Sequence, residues 1–403
     1  MLFFILVSDM DTLALIREMA STGKPPSGGL HATKKIPVSL DNINFIPAQL
    51  AKRPVDYFRE HISSRTVIGS RAKKPLELET PIMIAAMSFG ALGKPAKIAL
   101  ATASTLAGTA DNTGEGGMLP EERSEAKLLV AQYSTGRFGV DENYLRSADA
   151  IEIKIGQGAK PGQGGLLPKE KITEEIARIR KVGMNEDLHS PAYHPDIKSL
   201  SDLKKKIAWL RKFCKGPIIV KLGAGNVEED VRIAVRAGAD VIAIDGFGGG
   251  TGAAPQVMMN EMGLPIVMAV VRARRELDRL KAKQELIVAG GLRTGGDVAK
   301  MLALGADAVY MGSSLLAAMG CIQCLQCYRG LCPVGITTHD KRLHAKFDKN
   351  AAQHVANFIK ACTEEVKMIS GACGYDDIHA LSARDLVALD GLTEKILEVA
   401  KKK

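Results

Sequence analysis

Residues 285–314 read ELIVAGGLRTGGDVAKMLALGADAVYMGSS, and this composition indicates a buried strand, a helix and a second buried strand. Both apolar runs have the length of strands, and both end in glycine. The helical pattern between them is long enough to carry the chain back across a sheet. The segment therefore predicts a βαβ unit with parallel strands, and glycine-rich loops at the carboxyl edge of the sheet.

The same alternation recurs from Pro81 onward. The predicted strands are Pro81–Ala86, Ala150–Ile155, Pro217–Leu222, Asp240–Gly246, Glu285–Gly291 and Ala308–Gly312, and the predicted helices include Val227–Ala239, Pro265–Ala282 and Gly295–Ala306. This pattern predicts an α/β fold, a (β/α)8 TIM barrel that binds ligands in the loops after its strands. A doubly wound open sheet is the alternative, and it is disfavoured because no GxGxxG motif follows the first strand.

Composition divides the chain into three regions. Residues 1–80 have few strand signals and predict an irregular N-terminal leader that wraps the barrel. Residues 81–340 form the predicted barrel, and residues 341–403 show the apolar periodicity of a C-terminal helical extension.

Charge and hydropathy exclude two classes of partner. The 403 residues include 54 Lys and Arg against 45 Asp and Glu, a net charge of +9, but no basic stripe with interleaved aromatic residues, so nucleic-acid binding is not expected. The apolar run Met1–Val7 is far shorter than the roughly 20 residues of a spanning helix. We expect it to pack on the barrel or on a neighbour, and we expect a cytoplasmic protein without membrane contact.

Three glycine-rich segments follow consecutive predicted strands. They are GFGGGTGAAP at 246–255, GGLRTG at 290–295, and Gly312-Ser313. Glycine lets backbone N–H groups approach a phosphate closely, so the series predicts a cup for one phosphate monoester, as in FMN. Tight turns without a ligand are the alternative.

Two further features indicate binding of anionic groups. Lys221 ends the predicted strand IIVKL, where a cation can lie by the N1 and O2 edge of a flavin; a buried Lys paired with an acid is the alternative. The loop IEIKIGQGAKPGQGG at 151–165 carries Lys154, Gln157 and Lys160, donors that a dicarboxylate needs at its two ends. A solvated flexible loop fits that composition equally well.

Four cysteines, Cys321, Cys324, Cys327 and Cys332, lie within twelve residues, and Pro333 follows the last. Zinc sites usually separate two pairs of ligands by a longer loop. The spacing here resembles the ferredoxin pattern with one extra residue, so an iron-sulfur cluster is favoured over zinc. The dispersed cysteines Cys214, Cys362 and Cys373 are expected to be buried small apolar residues.

An ordered series of motifs resembles the FMN-binding synthase domain of glutamate synthase. The series is MSFGAL (87–92), NTGEGG (112–117), GRFGV (136–140), IEIKIGQGAKPGQGG, SPAYHPDI (190–197), GGTGAAP, GGLRTG and the run of cysteines ending in CPVG. The resemblance implies a (β/α)8 barrel that holds FMN, with an iron-sulfur cluster nearby through which electrons enter. It also implies that 2-oxoglutarate and ammonia form 2-iminoglutarate, which hydride from N5 of reduced FMN converts to L-glutamate.

The resemblance also implies roles for individual residues. The catalytic residues would be Lys160, Gln157, Glu115 and Lys221, and 2-oxoglutarate would be held by Gln157, Lys160 and Arg180. FMN would be bound by Met87, Ser88, Gln132, Lys221, Gly249, Gly250, Thr251, Gly290, Gly291, Arg293, Gly312 and Ser313. Cys321, Cys327 and Cys332 would ligate a 3Fe-4S cluster, and Cys324 is either a fourth ligand, of a 4Fe-4S cluster, or a bystander.

The chain departs from the full-length family enzyme at its start. It begins Met1-Leu2, without the glutaminase domain and its N-terminal cysteine. We therefore expect a hetero- or homo-oligomer with separate glutaminase and NAD(P)H-oxidoreductase or ferredoxin subunits, or else direct use of free ammonia or another amine. Two alternatives stay open: a subunit of N-methylglutamate synthase, which uses methylamine and glutamate, and a non-catalytic electron-relay subunit.

Overall fold

The computed structural model describes residues 13–402. Its centre is a sheet of eight parallel strands in the order β1-β8-β7-β6-β5-β4-β3-β2. The strands are β1 (Ile82–Ile84), β2 (Ala110–Asn112), β3 (Leu128–Tyr133), β4 (Ala150–Lys154), β5 (Ile218–Gly223), β6 (Val241–Asp245), β7 (Glu285–Ala289) and β8 (Ala308–Met311). Together with the alternating helices, this sheet confirms the predicted barrel.

Strands β1 and β2 lie at the two ends of this order, and two hydrogen bonds connect the chain where these strands begin. The Thr109 hydroxyl donates to the Ile82 carbonyl at 2.6 Å, and the Glu79 N–H donates to the Gly108 carbonyl at 2.9 Å. These contacts close the gap between β1 and β2, because both lie where the two strands begin. The barrel is thus nearly continuous around its circumference.

Helices cover the outside of the barrel. They are α1 (Lys94–Leu106), α2 (Pro120–Glu125), α3 (Glu142–Arg146), α4 (Glu174–Arg180), α5 (Leu200–Leu210), α6 (Val227–Ala237), α7 (Gln256–Glu261), α8 (Ile266–Arg279), α9 (Gly295–Ala303), α10 (Ser313–Ala318), α11 (Lys341–His344), α12 (Ala351–Ala372) and α13 (Gly391–Lys401). Gly238 ends α6 with a φ of 89°, the left-handed conformation that glycine adopts without a side-chain clash. The three helices predicted from the sequence correspond to α6, α8 and α9.

The barrel interior is apolar at the amino-terminal end of the strands. Alternate residues of neighbouring strands point inward, and the apolar ones form a cluster that includes Met83, Val130, Ile219, Val241 and Ile287. A hairpin of Thr66–Ile68 and Leu76–Leu78 contributes Ile68, Leu76 and Leu78 to the same cluster. The hairpin therefore covers this end of the barrel.

Segments before and after the barrel form two short antiparallel pairs. Ser27–Leu30 pairs with Thr251–Pro255 in the loop after β6, and Ile43–Phe45 pairs with Leu386–Ala388 near the C-terminus. The apolar run Met1–Val7, which was expected to pack on the barrel or a neighbour, lies outside the described residues. Within residues 13–402, no helix is both long and apolar enough to cross a lipid bilayer.

A fully buried ion cluster lies between α1, β2 and α2. The Lys97 ammonium is 2.8 Å from a Glu122 carboxylate oxygen and donates to the Asn112 carbonyl at 3.1 Å. Burial raises the pKa of Asp111 and raises that of Glu122 to about 7, while both carboxylates hold the pKa of Lys97 above its usual value against the effect of burial. Lys97 is thus the cation that balances two buried acids beneath the loop that follows β2.

Replacing Lys97 by Met should lower the free energy of unfolding by about 3–5 kcal/mol near pH 8, because the two acids lose their buried cation. The loss should shrink below pH 7, where Glu122 accepts a proton at little cost. Urea denaturation at both pH values measures the effect. Arg65→Ala, which breaks an ion pair between two exposed side chains, is the control and should cost about 1 kcal/mol or less. Equal losses for the two variants would contradict the assigned role of Lys97.

Candidate cofactor and anion site at the carboxyl end of the barrel

A cavity opens where the eight strands end. Its wall contains most of the site residues that the sequence predicts, namely Met87, Ser88, Glu115, Gln132, Gln157, Lys160, Lys221, Gly249, Gly250, Thr251, Gly290, Gly291, Gly312 and Ser313. Lys154, Lys171, Asp245 and Tyr310 also line it. Residues far apart in the chain meet here because parallel strands all present their carboxyl ends at the same edge.

The glycine segments after β6, β7 and β8 form one side of the cavity. A Cβ on Gly250 would lie 2.5 Å from the Ser313 hydroxyl oxygen and 2.8 Å from the Leu30 carbonyl oxygen, so only glycine fits there. Gly291 has a φ of 70°. Among the described residues, the backbone N–H groups of Gly291 and Gly312 donate no hydrogen bond within the protein. Free amides in a cradle of this kind suit a phosphate group.

Lys221 projects into the cavity from β5. Its ammonium lies 3.3 Å from an Asp245 carboxylate oxygen and 5.5 Å from the centre of the Tyr310 ring. Burial alone would lower the pKa of Lys221, but Asp245 and Glu152 raise it above the usual value. Lys221 is therefore a fixed positive charge at the base of the cavity, and its pairing with an acid also matches the second sequence interpretation.

Glu152 lies one inward position below Lys154 on β4 and is fully buried. The side-chain amides of Gln132 and Asn112 both donate to one of its carboxylate oxygens, at 2.7 and 3.2 Å. Sequence reasoning did not select Glu152. One feature of the sequence could have indicated it: Glu152 is an acidic residue at an inward position of the buried strand AIEIK, where apolar residues are usual.

The loops after β2 and β4 bring opposite charges together at the mouth of the cavity. Glu115 lies 3.2 Å from the Lys154 ammonium. Although burial would raise the pKa of Glu115, the cations Lys154, Lys160 and Arg180 lower it. Burial and the neighbouring Lys154 lower the pKa of Lys160 to about 8, and its ammonium donates to the Ala253 carbonyl at 2.8 Å. The end of β4 and the loop after it thus supply two cations, and the loop after β2 supplies one balancing carboxylate.

Two predicted arginines lie outside the wall of this cavity. Arg180 is buried behind it and donates to the Ser88 hydroxyl at 3.1 Å and to the Phe89 carbonyl. Arg293 pairs with Asp41 and Asp297 at 2.5 and 3.0 Å and faces a second, adjacent cavity beside the leader. In the described arrangement, Arg180 supports the site through Ser88, and both carboxylates next to Arg293 neutralise its charge.

The cysteine segment forms another wall, to which Cys327 contributes directly. Burial raises the pKa of Cys321 and Cys327, and the nearby Cys332 raises both further, so these three thiols lie within electrostatic reach of one another. Lys171 connects this segment to the cavity by donating to the Cys327 carbonyl at 3.1 Å. Within residues 13–402, no group of three or more His, Cys, Asp or Glu side chains has an arrangement suited to a metal ion.

Sequence comparisons identify relatives over nearly the whole chain. A family model described as the conserved region in glutamate synthase matches residues 30–376. The chain is 41% identical over 400 residues to the glutamate synthase large subunit-like protein of Rhizobium meliloti, covering 94% of this chain and 90% of that protein. It is 39% identical over 424 residues to the archaeal NADPH glutamate synthase of Methanocaldococcus jannaschii, covering 97% and 83%.

Solved structures of similar fold include a mutant of an active chimera of (S)-mandelate dehydrogenase, with a TM-score of 0.58 at 15% identity and coverage of 87% of this chain and 88% of that chain. A mutant flavocytochrome b2 with sulfite bound gives a TM-score of 0.57 at 17% identity, covering 90% and 78%. At these identities the likeness establishes the barrel fold alone.

Replacing Glu115 by Gln should lower the pKa of Lys160 further below about 8, because Glu115 is the neighbouring acid that favours its protonated form. NMR of 13C-methylated lysines measures the pKa, and Lys160→Arg assigns the signal. Glu261→Gln, which removes the acid paired with exposed Lys34, is the control and should leave the pKa of Lys160 unchanged. An unaltered pKa in Glu115→Gln would show that the two groups do not interact.

Proposed function

Because the chain belongs to the glutamate synthase family, we propose that it makes L-glutamate by reductive amination of 2-oxoglutarate with FMN as its bound cofactor. One observation carries this proposal: the phosphate cradle after β6, β7 and β8 and the cation-rich loop after β4 border the same cavity. A phosphate-bearing cofactor and a dicarboxylate can therefore meet there.

The residues present fit FMN. The Gly250 cradle and the free amides of Gly291 and Gly312 suit its phosphate, and Lys221 offers a positive charge to the ring. FMN, when bound and reduced, supplies the hydride. The chain itself supplies orientation, charge and an enclosed site, since the hairpin below covers the other end of the barrel.

The loop after β4 is proposed to bind the substrate. Lys154 and Lys160 provide cations for the carboxylates of 2-oxoglutarate, and Gln157 provides an amide donor. With a pKa of about 8, the Lys160 ammonium can give up a proton near neutral pH, for example to the ketone oxygen that leaves as water when ammonia adds. Glu115 pairs with Lys154 and favours the protonated form of Lys160.

An anaerobic assay tests the proposed reaction. Protein reconstituted with FMN and a chemical reductant should convert 2-oxoglutarate and ammonia to glutamate, and Lys160→Met should abolish the product while still binding FMN. Formation of N-methylglutamate from methylamine and glutamate would instead identify an N-methylglutamate synthase. FMN binding that no 2-oxoglutarate addition perturbs, without any product, would support the electron-relay role.

We further propose that Cys321, Cys327 and Cys332 hold an iron-sulfur cluster that receives electrons from a separate NAD(P)H-oxidoreductase or ferredoxin subunit. The support is the ferredoxin-like spacing and the place of this segment at the cavity wall, to which Cys327 contributes. The described side chains do not form a metal-binding set, so no step of the reaction is derived through the cluster.

Serine substitution of Cys321, Cys327 or Cys332 should remove iron and acid-labile sulfide from anaerobically purified protein, because each would supply a ligand. The same substitution at Cys324 should remove them only if the cluster has four cysteine ligands. Cys373→Ser, at a buried cysteine remote in sequence from this segment, is the matched control. Full iron content in the Cys332→Ser protein would end the cluster proposal.

Binding of 2-oxoglutarate should weaken as pH rises through about 8. Lys160 is protonated below its pKa and neutral above it, so its attraction for a carboxylate is present at pH 7 and lost at pH 9. Calorimetric titration from pH 6.5 to 9.5 measures the dependence. In Lys160→Arg the dependence should flatten, because a guanidinium keeps its charge throughout this range. An equally steep loss in that variant would assign the titration to another group.

Gly250→Ala should weaken FMN binding by roughly tenfold or more, because its methyl group meets Ser313 and the Leu30 backbone and displaces the cradle. Fluorescence titration of the apoprotein with FMN measures the affinity. Gly296→Ala, where the added methyl group has open space apart from one contact with Thr294 at 3.5 Å, should bind FMN as tightly as the unaltered protein. Equal affinities for the two variants would place the phosphate elsewhere.

A further inference from the structure

Inside the barrel, the Glu152 carboxylate accepts hydrogen bonds from side chains of two other strands. Gln132 on β3 and Asn112 on β2 both direct their side-chain NH2 groups at its Oε1 atom, at 2.7 and 3.2 Å. All three residues are at most 2% exposed. A carboxylate can only accept hydrogen bonds, so each amide must present its nitrogen to Glu152 and its oxygen to the opposite side.

Asn112 shows the consequence directly. Its Oδ1 atom accepts a hydrogen bond from the Gly114 N–H at 3.0 Å, so its orientation is fixed at both ends. Gln132 is fixed at one end only. No described residue donates to its Oε1 atom, and Gln132 is part of the cavity wall.

Two more groups lie near Glu152, across the barrel. Asp245 and the Glu152 carboxylate raise the pKa of Lys221 against the effect of burial, and burial together with the same carboxylate raises the pKa of Tyr310 well above its usual value.

From this geometry we infer that Glu152 is a positioning residue: it forces Gln132 to offer an acceptor, never a donor, to the flavin ring. The oxidised ring system has one N–H group, at N3, and all its other polar edge atoms are acceptors. An amide oxygen held toward the cavity therefore selects the N3–H group. The inference rests on the proposed FMN site and goes beyond it by assigning a role to a residue that need not touch the cofactor.

The test compares FMN with N3-methyl-FMN, which lacks that donor. Apoprotein is titrated with each flavin by fluorescence, and the ratio of the two dissociation constants is the readout. We expect the unaltered protein to prefer FMN by roughly tenfold or more, the value of a hydrogen bond lost in a buried site. If it binds neither flavin, the cofactor proposal fails; if it binds both equally, only the present inference fails.

Glu152→Met should bring the ratio close to one. Gln132 then loses the acceptor that holds its NH2 group, so its nitrogen as well as its oxygen can face the cavity. A purely structural role would weaken both flavins equally and leave the ratio unchanged, which would overturn the inference. Glu276→Met, at a buried acid paired with Arg232 and Arg279 outside the barrel, is the matched control and should keep the ratio of the unaltered protein.

Glu152→Gln provides a rescue. Gln132 and Asn112 donate to the same Oε1 atom, so the amide oxygen of the new Gln can accept from both, and the preference for FMN should be kept. This variant also supplies the decisive comparison if Glu152→Met does not fold. A ratio near one in Glu152→Gln would overturn the inference.

Discussion

The period-two alternation of the barrel strands is the constraint on which the rest of the structure depends. Inward positions of β4 run Ala150, Glu152 and Lys154, while those of β5 run Ile219, Lys221 and Gly223. The interior therefore changes along the strands from an apolar end, covered by the Thr66–Ile68 and Leu76–Leu78 hairpin, to a charged end that opens to the loops. A one-residue shift of register would exchange these side chains with the outward apolar ones.

The charges at the open end of the barrel are compensated mainly by neighbouring groups of opposite charge rather than by solvent. Lys221 lies by Asp245 and Glu152, and Lys154 lies by Glu115. Lys160 has no ion pair within 4.0 Å among the described residues, and burial together with Lys154 lowers its pKa. The site therefore has a cation without an ion-pair partner. The proposed dicarboxylate substrate would supply a negative charge to it. The pairs also hold the side chains in place before any ligand arrives.

Parts of the architecture were readable from local pattern, and parts were not. Six barrel strands follow from apolar runs, five of which end in glycine or are followed by it, but Ala110–Asn112 and Leu128–Tyr133 were not predicted. The first of these is three residues long and contains Asp and Asn, which are poor strand formers, so only pairing with β3 makes it a strand. Arg293 shows a contact that local pattern does not predict. Its motif places it beside a phosphate loop, and the tertiary structure pairs it with Asp41 from the leader, 252 residues away in sequence.

The sequence by itself determined the barrel, its glycine cradle, the cation-rich loop after β4 and the cysteine spacing, because each depends on residue types at short separations. Tertiary structure alone decided which of these features share one cavity. It also decided which cations have an ion-pair partner and which do not. It also revealed Glu152, whose importance comes from Gln132 and Asn112 on neighbouring strands and from Tyr310 and Lys221 across the barrel. The physical reason is that hydrogen bonds and charge pairs between strands depend on three-dimensional register, and register is settled only when the whole barrel closes.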